Sequence, residues 1–179
     1  LNENQKDGWT QTAGDEVQGP LVIQVGTELH GNNFGNFELG RVQGYKWDDM
    51  NANGVADEDK DSLLSDWKVT LEILEDDEEN GYKAMNSLSY KMTDEKGAFE
   101  FDGLLPGEYK LCEEMQDGWM QTYPSKQNEI SVAFSDDYDT ECHYIEIETS
   151  GQVLSNFNFG NFELGQVSGY KWDDDNGDG

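Results

Sequence analysis

Thr93-Asp94-Glu95-Lys96-Gly97-Ala98-Phe99-Glu100-Phe101-Asp102-Gly103-Leu104-Leu105-Pro106-Gly107-Glu108-Tyr109-Lys110-Leu111 is the stretch whose reading decides the fold. Apolar side chains recur at every second residue, at Phe99 and Phe101 and again at Tyr109 and Leu111, which is the period of a strand with one face in a core. Asp94-Glu95-Lys96-Gly97 and Leu105-Pro106-Gly107 supply the turn chemistry around them, glycine for positive φ and proline for a preset φ. Working outward, the same period predicts strands over 42–47, 67–74, 82–93, 98–101, 107–114, 129–134, 142–148 and 153–162, with further turns at Asn80-Gly81 and Asp117-Gly118. No stretch has the period of an amphipathic helix. Short strands in this number predict an all-β fold, an antiparallel β-sandwich with Leu71, Ile73, Phe99, Phe101, Tyr109, Leu111, Ile145 and Ile147 on its inner faces.

The sequence also repeats itself. Gly8-Trp9-Thr10-Gln11-Thr12 returns as Gly118-Trp119-Met120-Gln121-Thr122, 110 residues later, and the string Asn33 to Gly40 returns unchanged at Asn158 to Gly165, 125 residues later. The difference of 15 residues implies an insertion in the second copy. Gly44-Tyr45-Lys46-Trp47-Asp48-Asp49 is answered by Gly169-Tyr170-Lys171-Trp172-Asp173-Asp174. The phase divides the chain into the end of a preceding repeat (1–39), one complete β-sandwich repeat (40–164) and the start of the next (165–179). The expectation is a processed or excised window on a longer tandem array.

Composition narrows the function. The 179 residues carry 39 acidic and 11 basic side chains, a formal charge of −28, so bulk charge argues against nucleic acid and anionic membranes as partners. With 35% hydrophobic and 12% aromatic residues in alternating runs, the chain has the material for a core, and no run is long enough to insert in a membrane.

Asp49-Met50-Asn51-Ala52-Asn53-Gly54-Val55-Ala56-Asp57 places oxygen-bearing side chains at positions 1, 3, 5 and 9 of an EF-hand-like loop, with glycine at 6 and the Val55 carbonyl at 7. Such hard donors select Ca2+, expected here as a structural ion. Lys60 stands where the bidentate acid belongs, so Asp61 is predicted to close the loop, with Asp59 as a second candidate. Asp174, Asn176 and Asp178 begin the same loop in the following repeat. The competing reading is an acidic Asn-Gly turn without a metal.

Cys112 and Cys142 fall on two predicted strands and suit a disulfide in an oxidising compartment; the alternative is a pair of buried thiols. The acids beside Cys112 disfavour a thiolate, so a Cys112/His143 nucleophile pair is not expected. No Ser/His/Asp series, phosphate-binding glycine loop or zinc spacing is present, and the chain is predicted not to be an enzyme. The tryptophans, mostly at repeated positions, are expected to pack rather than to bind sugars. Glu75 to Glu79 reads as a solvated hairpin loop.

The ordered series Gly44-x-Lys46-Trp47-x-Asp49-x-Asn51-x-Asn53-Gly54, Leu64-x-x-Trp67-x-Val69-x-Leu71, Thr93-Asp94-x-x-Gly97-x-Phe99-x-Phe101-x-x-Leu104-x-Pro106-Gly107-x-Tyr109-x-Leu111-x-Glu113, Gly118-Trp119-x-Gln121-Thr122 and Phe159-Gly160-Asn161 resembles an SdrD B-like, or Cna B-type, domain of bacterial and archaeal surface proteins. The resemblance implies a prealbumin-like, reversed immunoglobulin-like sandwich used as a stalk module and stiffened by calcium in a loop similar to Asp49 to Asp57. Some Cna B-type relatives also form an intramolecular isopeptide bond. By position this implies Lys46 as the amine, Asn161 as the amide and Glu113 as the assisting acid, against the alternative of a surface ion pair and a simple turn. The function implied is an extracellular structural repeat of a surface stalk, adhesin or filament, whose partners are neighbouring repeats, other copies in a filament, or a surface ligand. The alternative is a carbohydrate- or protein-binding module that uses exposed aromatics or the insertion 125–141.

Overall fold

The computed structural model describes residues 4–14, 24–26, 28, 30, 33–57, 59–77, 81–125 and 141–178, with backbone alone for 75–77 and 81–88. Its elements are all strands: β1 (Trp9–Ala13), β2 (Gly35–Glu38), β3 (Gly40–Asp48), β4 (Ser62–Leu63), β5 (Lys68–Asp77), β6 (Gly81–Met92), β7 (Ala98–Leu104), β8 (Gly107–Glu113), β9 (Trp119–Tyr123), β10 (His143–Ile147), β11 (Val153–Leu154) and β12 (Phe159–Glu163). The expected strand 129–134, most of the insertion 125–141, and Glu78, Glu79 and Asn80 lie outside the described residues.

One sheet is antiparallel in the order β10-β8-β5-β6, and the other runs β11-β3-β12-β9 with β4 and β7 also paired to β3. The expected sandwich is thus present, with a mixed second sheet: β11 and β12 run parallel to β3, while β7 and β4 are antiparallel to it. A two-stranded ribbon, β1-β2, stands apart from both sheets.

Alternation explains the core. Phe99, Phe101, Tyr109, Leu111, Ile145, Ile147 and Leu71 are buried as expected, Ile73 packs against them partly buried, and Val42, Val69, Leu104 and Phe159 complete the cluster. Each such large side chain contributes about 1.5–3 kcal/mol when fully removed from water. The Tyr109 hydroxyl donates to the Leu105 carbonyl at 2.7 Å, tying β8 back to its turn.

The expected single strand over 153–162 is divided. Asn156 adopts φ 70° between β11 and β12, so the chain steps aside and rejoins β3 further along. The Phe157 carbonyl crosses close to Gly44, where an added Cβ would meet its oxygen at 2.1 Å. Only glycine admits that crossing. The short β4, β9 and the β1-β2 ribbon fall outside the expected strands: both residues of β4 are exposed, and β1, β2 and β9 are four or five residues long, too short to display a clear period.

Candidate functional site

Parallel pairing sets Lys46 opposite Phe159, which shares a face of β12 with Asn161, so both side chains enter the sandwich interior. Glu113 ends the inward series Tyr109, Leu111 on the opposite sheet and meets them there. The Lys46 Nζ lies 3.2 Å from Glu113 Oε2, and both side chains are 0% exposed. Asn161 is likewise fully buried, and its Nδ2 donates to the Met115 sulfur at 3.8 Å. Lys46 Nζ, both Glu113 oxygens and Asn161 Oδ1 have no well-aligned hydrogen bond, although the lysine and the acid are within ion-pair distance. Trp67 roofs the cluster, its ring centroid 4.5 Å from Nζ, and is itself packed edge-on by Trp119 at 5.3 Å.

Burial governs the protonation of this cluster. Desolvation lowers Lys46 to about 8, opposed by the attraction of Glu113. Desolvation raises Glu113 to about 7, opposed first by Lys46 and then by the Asn161 amide that reaches it. Burial thus disfavours the charged form of both groups, which brings the neutral amine beside a neutral acid closer in free energy to the ion pair. The competing expectation, Lys46 at the surface, is excluded by its burial.

The loop after β3 is organised around Asp49, which is fully buried. Its Oδ1 accepts the Asn53 N–H at 3.1 Å and its Oδ2 the Gly54 N–H at 2.7 Å. Asn51 Oδ1 accepts the Asn53 N–H and Asn53 Oδ1 accepts the Val55 N–H, the winding of a loop whose alternate side chains turn inward. The amides of Asn51 and Asn53 both donate to Asp57 Oδ2, at 2.9 and 3.3 Å. The Asn51 bond is the main reason that Asp57 is held below the usual carboxylate range. Asp61 closes the loop by accepting the Met50 and Asp57 N–H groups at 3.2 and 2.6 Å. Asp59 is not drawn into these bonds, while Lys60 lies 3.5 Å from Asp57.

Asp174 begins the same winding: its Oδ1 accepts the N–H groups of Gly177 and Asp178, and Asn176 donates to Asp178. Among the described residues no three His, Cys, Asp or Glu side chains are gathered as a metal site on their own. An ion here would need the asparagine oxygens as well. The donors Asp49, Asn51, Asn53, Asp57 and Asp61 are all oxygen and lie on one closed loop, the chemistry that suits calcium.

Cys112 and Cys142 form a disulfide with a Cα–Cα distance of 4.5 Å, joining β8 to the start of β10. No thiol is left for a Cys/His pair. His143 instead binds the Asn158 carbonyl at 2.8 Å and packs against Phe157 and Phe159, with burial lowering its pKa. Trp47 and Trp67 are buried, as a packing role requires, whereas Trp172 stays 66% exposed. Sequence reading missed the contribution of Trp67 and Met115 to the Lys46 cluster, because nothing in their spacing brings them near β3.

Residues 40–160 match the model of the SdrD B-like domain. Serine-aspartate repeat-containing protein F of Staphylococcus epidermidis is 31% identical over 139 residues, covering 77% of this chain and 7% of that protein. The chain therefore spans under a tenth of the length of that relative. Among solved structures, the major pilin SpaD of Corynebacterium diphtheriae overlaps 70% of this chain and 32% of its own, at 15% identity and a TM-score of 0.45. The minor pilin GBS52 of Streptococcus agalactiae overlaps 76% of this chain and 49% of its own, at 16% identity and a TM-score of 0.43. With the family match extending from β3 into β12, the chain belongs to the SdrD B-like domain family.

Proposed function

We propose that this chain is a non-enzymatic, load-bearing segment of an extracellular surface stalk or filament, built of tandem sandwich units, each closed covalently between its first and last strands and stiffened by calcium. The observation that carries the reading is the enclosed Lys46–Glu113 pair beside the buried Asn161 amide. In its neutral form, the Lys46 amine attacks Asn161 Cγ and forms a C–N bond, while the Glu113 carboxyl donates its proton toward the amide oxygen. Glu113 then takes one proton from the attached amine nitrogen and passes it to Nδ2, the C–Nδ2 bond breaks, ammonia leaves, and the proton on the oxygen returns to Glu113 as the carbonyl re-forms. Amine plus amide give a new amide plus ammonia, with no oxidant and with Glu113 restored. The bond would tie β3 to β12, so force entering at one end of the unit and leaving at the other would bypass the hydrogen-bond ladders.

Calcium would be held by Asp49, Asn51, Asn53, Asp57 and Asp61, with the Val55 carbonyl as a further donor, and Asp174, Asn176 and Asp178 would start the equivalent site of a following unit. The ion would supply charge neutralisation in a chain of net charge −28 and would fix the loop between β3 and β4. The Cys112–Cys142 bridge fits an oxidising, cell-surface location.

Intact-mass measurement of the purified chain tests the covalent closure. Bond formation predicts a mass about 17 Da below the sequence mass after correction for the disulfide, and its absence in Lys46→Ala and Asn161→Ala. A wild-type mass without that deficit would remove the bond from the proposal and leave a disulfide-bridged module.

A further inference from the structure

The β1-β2 ribbon meets the complete sandwich through the single residue Leu39, yet its end is not loose. Phe37 packs, partly buried, against the core of the 40–164 unit. The next residue, Glu38, is gripped by the turn between β10 and β11: its N–H donates to Ser150 Oγ at 2.8 Å and its carbonyl accepts the Gly151 N–H at 2.9 Å. The Arg41 N–H then donates to the Gln152 carbonyl at 3.0 Å, which leads directly into the β3-β11 pairing.

The turn is braced for this task. Gln152 Oε1 accepts the N–H groups of Glu148 and Thr149, and its Nε2 donates to the Glu146 carbonyl. Gly151 has φ +71°, and a Cβ there would come within 2.7 Å of Glu38 Oε2, so the glutamate lies against a bare Cα. Gly40 is pressed against Ile147 in the same way, with 2.9 Å to an added Cβ. The positive φ is the firm requirement for glycine at 151, since the Glu38 carboxylate can swing away from an added Cβ.

The far end of the unit carries the same end-piece. Phe162-Glu163-Leu164-Gly165 repeats Phe37-Glu38-Leu39-Gly40. Trp119 pairs with Glu163 as Trp9 pairs with Glu38, and the Leu164 N–H donates to Gly118 at 2.7 Å as the Leu39 N–H donates to Gly8 at 2.8 Å. Leu164 is 50% exposed at that end.

We propose that the β10-β11 turn is a socket for the Phe-Glu-Leu-Gly end of the preceding repeat, and that Phe162-Glu163-Leu164 is the matching plug for the turn of a following repeat. Its partner is thus a neighbouring copy of the same unit, seated through a fixed contact in place of a flexible linker. The plug half rests on the tandem-array reading above; the socket is tested within this chain.

Amide exchange and residual dipolar couplings on the full 179-residue chain provide the test. The Glu38 and Gly151 amides should exchange about 100-fold or more slowly than free peptide. Ser150→Ala removes one exposed hydroxyl and should accelerate Glu38 exchange about tenfold, and Gly151→Ala should do so further and let the ribbon amides of Thr10 and Gln11 align independently of the sandwich. Free-peptide exchange at both amides in the wild type would overturn the socket. So would unchanged exchange and ribbon alignment in both variants while the sandwich spectrum stays intact. A parent polypeptide with no further copies of the unit would overturn the array reading and the plug, an outcome that the amide measurements do not touch.

Discussion

A lysine with no solvent exposure has to be paired, neutral or consumed, and the surroundings of Lys46 bear on all three. Glu113 pairs it, burial makes its charge expensive to keep while the Trp67 ring face offsets part of that cost, and Asn161 offers an electrophile. If Glu113 acts as the proton carrier, Glu113→Gln should keep the shape of the pocket while slowing bond formation by about 100-fold or more, read from intact mass during refolding of unreacted chain. Formation at the wild-type rate would relegate Glu113 to a structural partner.

The unbonded cluster also predicts a pH signature, best seen in Asn161→Ala. Glu113 has its folded pKa raised to about 7 from 4.5, so the folded state holds the extra proton, and stability falls as pH rises through that window. Lys46 has its folded pKa lowered to about 8 from 10.5, so the unfolded state holds the extra proton above about 8, and stability recovers as pH rises from there. Denaturant midpoints should therefore pass through a minimum between about 7 and 8 in this variant. If the bond forms in the wild type, the alkaline recovery should vanish there, because the amide nitrogen no longer titrates.

At the scale of elements, the parallel pairing of β3 with β12 brings Lys46 and Asn161 together, and β8 of the opposite sheet supplies Glu113. That pairing needs a glycine at 160, where an added Cβ would meet the Trp47 ring at 2.3 Å. Gly160→Ala should cost about 1–3 kcal/mol by displacing Trp47, measured by denaturant unfolding. It should also slow closure, since β12 carries Asn161. The disulfide acts on a different pair of strands. It spans 30 residues, and its removal in Cys112→Ala/Cys142→Ala should cost about 3–4 kcal/mol in the chain-entropy account, with little effect on any mass deficit that a Lys46–Asn161 bond produces. Alternation made β7 and β8 readable because each has one face in the core. β4 and β9 were not readable, since short strands that pair beside a loop have no hydrophobic period of their own.

For the whole molecule, charge is the dominant constraint. With −28 distributed over 179 residues, the folded state repels itself, and both screening and bound cations should stabilise it. Calcium at about a hundred times its dissociation constant would add about 2.7 kcal/mol, a rise of roughly 10 °C in the unfolding midpoint of the sandwich. The rise should be lost with excess chelator and in Asn51→Ala, a change that leaves the Asp49 hydrogen bonds to Asn53 and Gly54 in place. An equal rise from sodium at matched ionic strength would mean screening alone. A unit seated against its neighbour at Glu38 and closed from β3 to β12 would transmit tension along the chain with little slack.

Period-two patterning and turn residues determined the sandwich and most of its core, and the sequence itself displays the duplicated strings and the alternate oxygen-bearing side chains of the Asp49 loop. These are local or translational properties, fixed by which side of a strand each residue faces and by which residues tolerate a tight turn. Only the tertiary structure decided that β12 lies parallel to β3, that Glu113 reaches Lys46 from the opposite sheet, that Asp61 accepts the Met50 and Asp57 amides, and that the 149–152 turn holds Glu38. Each of these joins residues that are distant in sequence or turns on how the chain bends between them. Their energies depend on burial and approach distance, and neither has a period that a sequence can display.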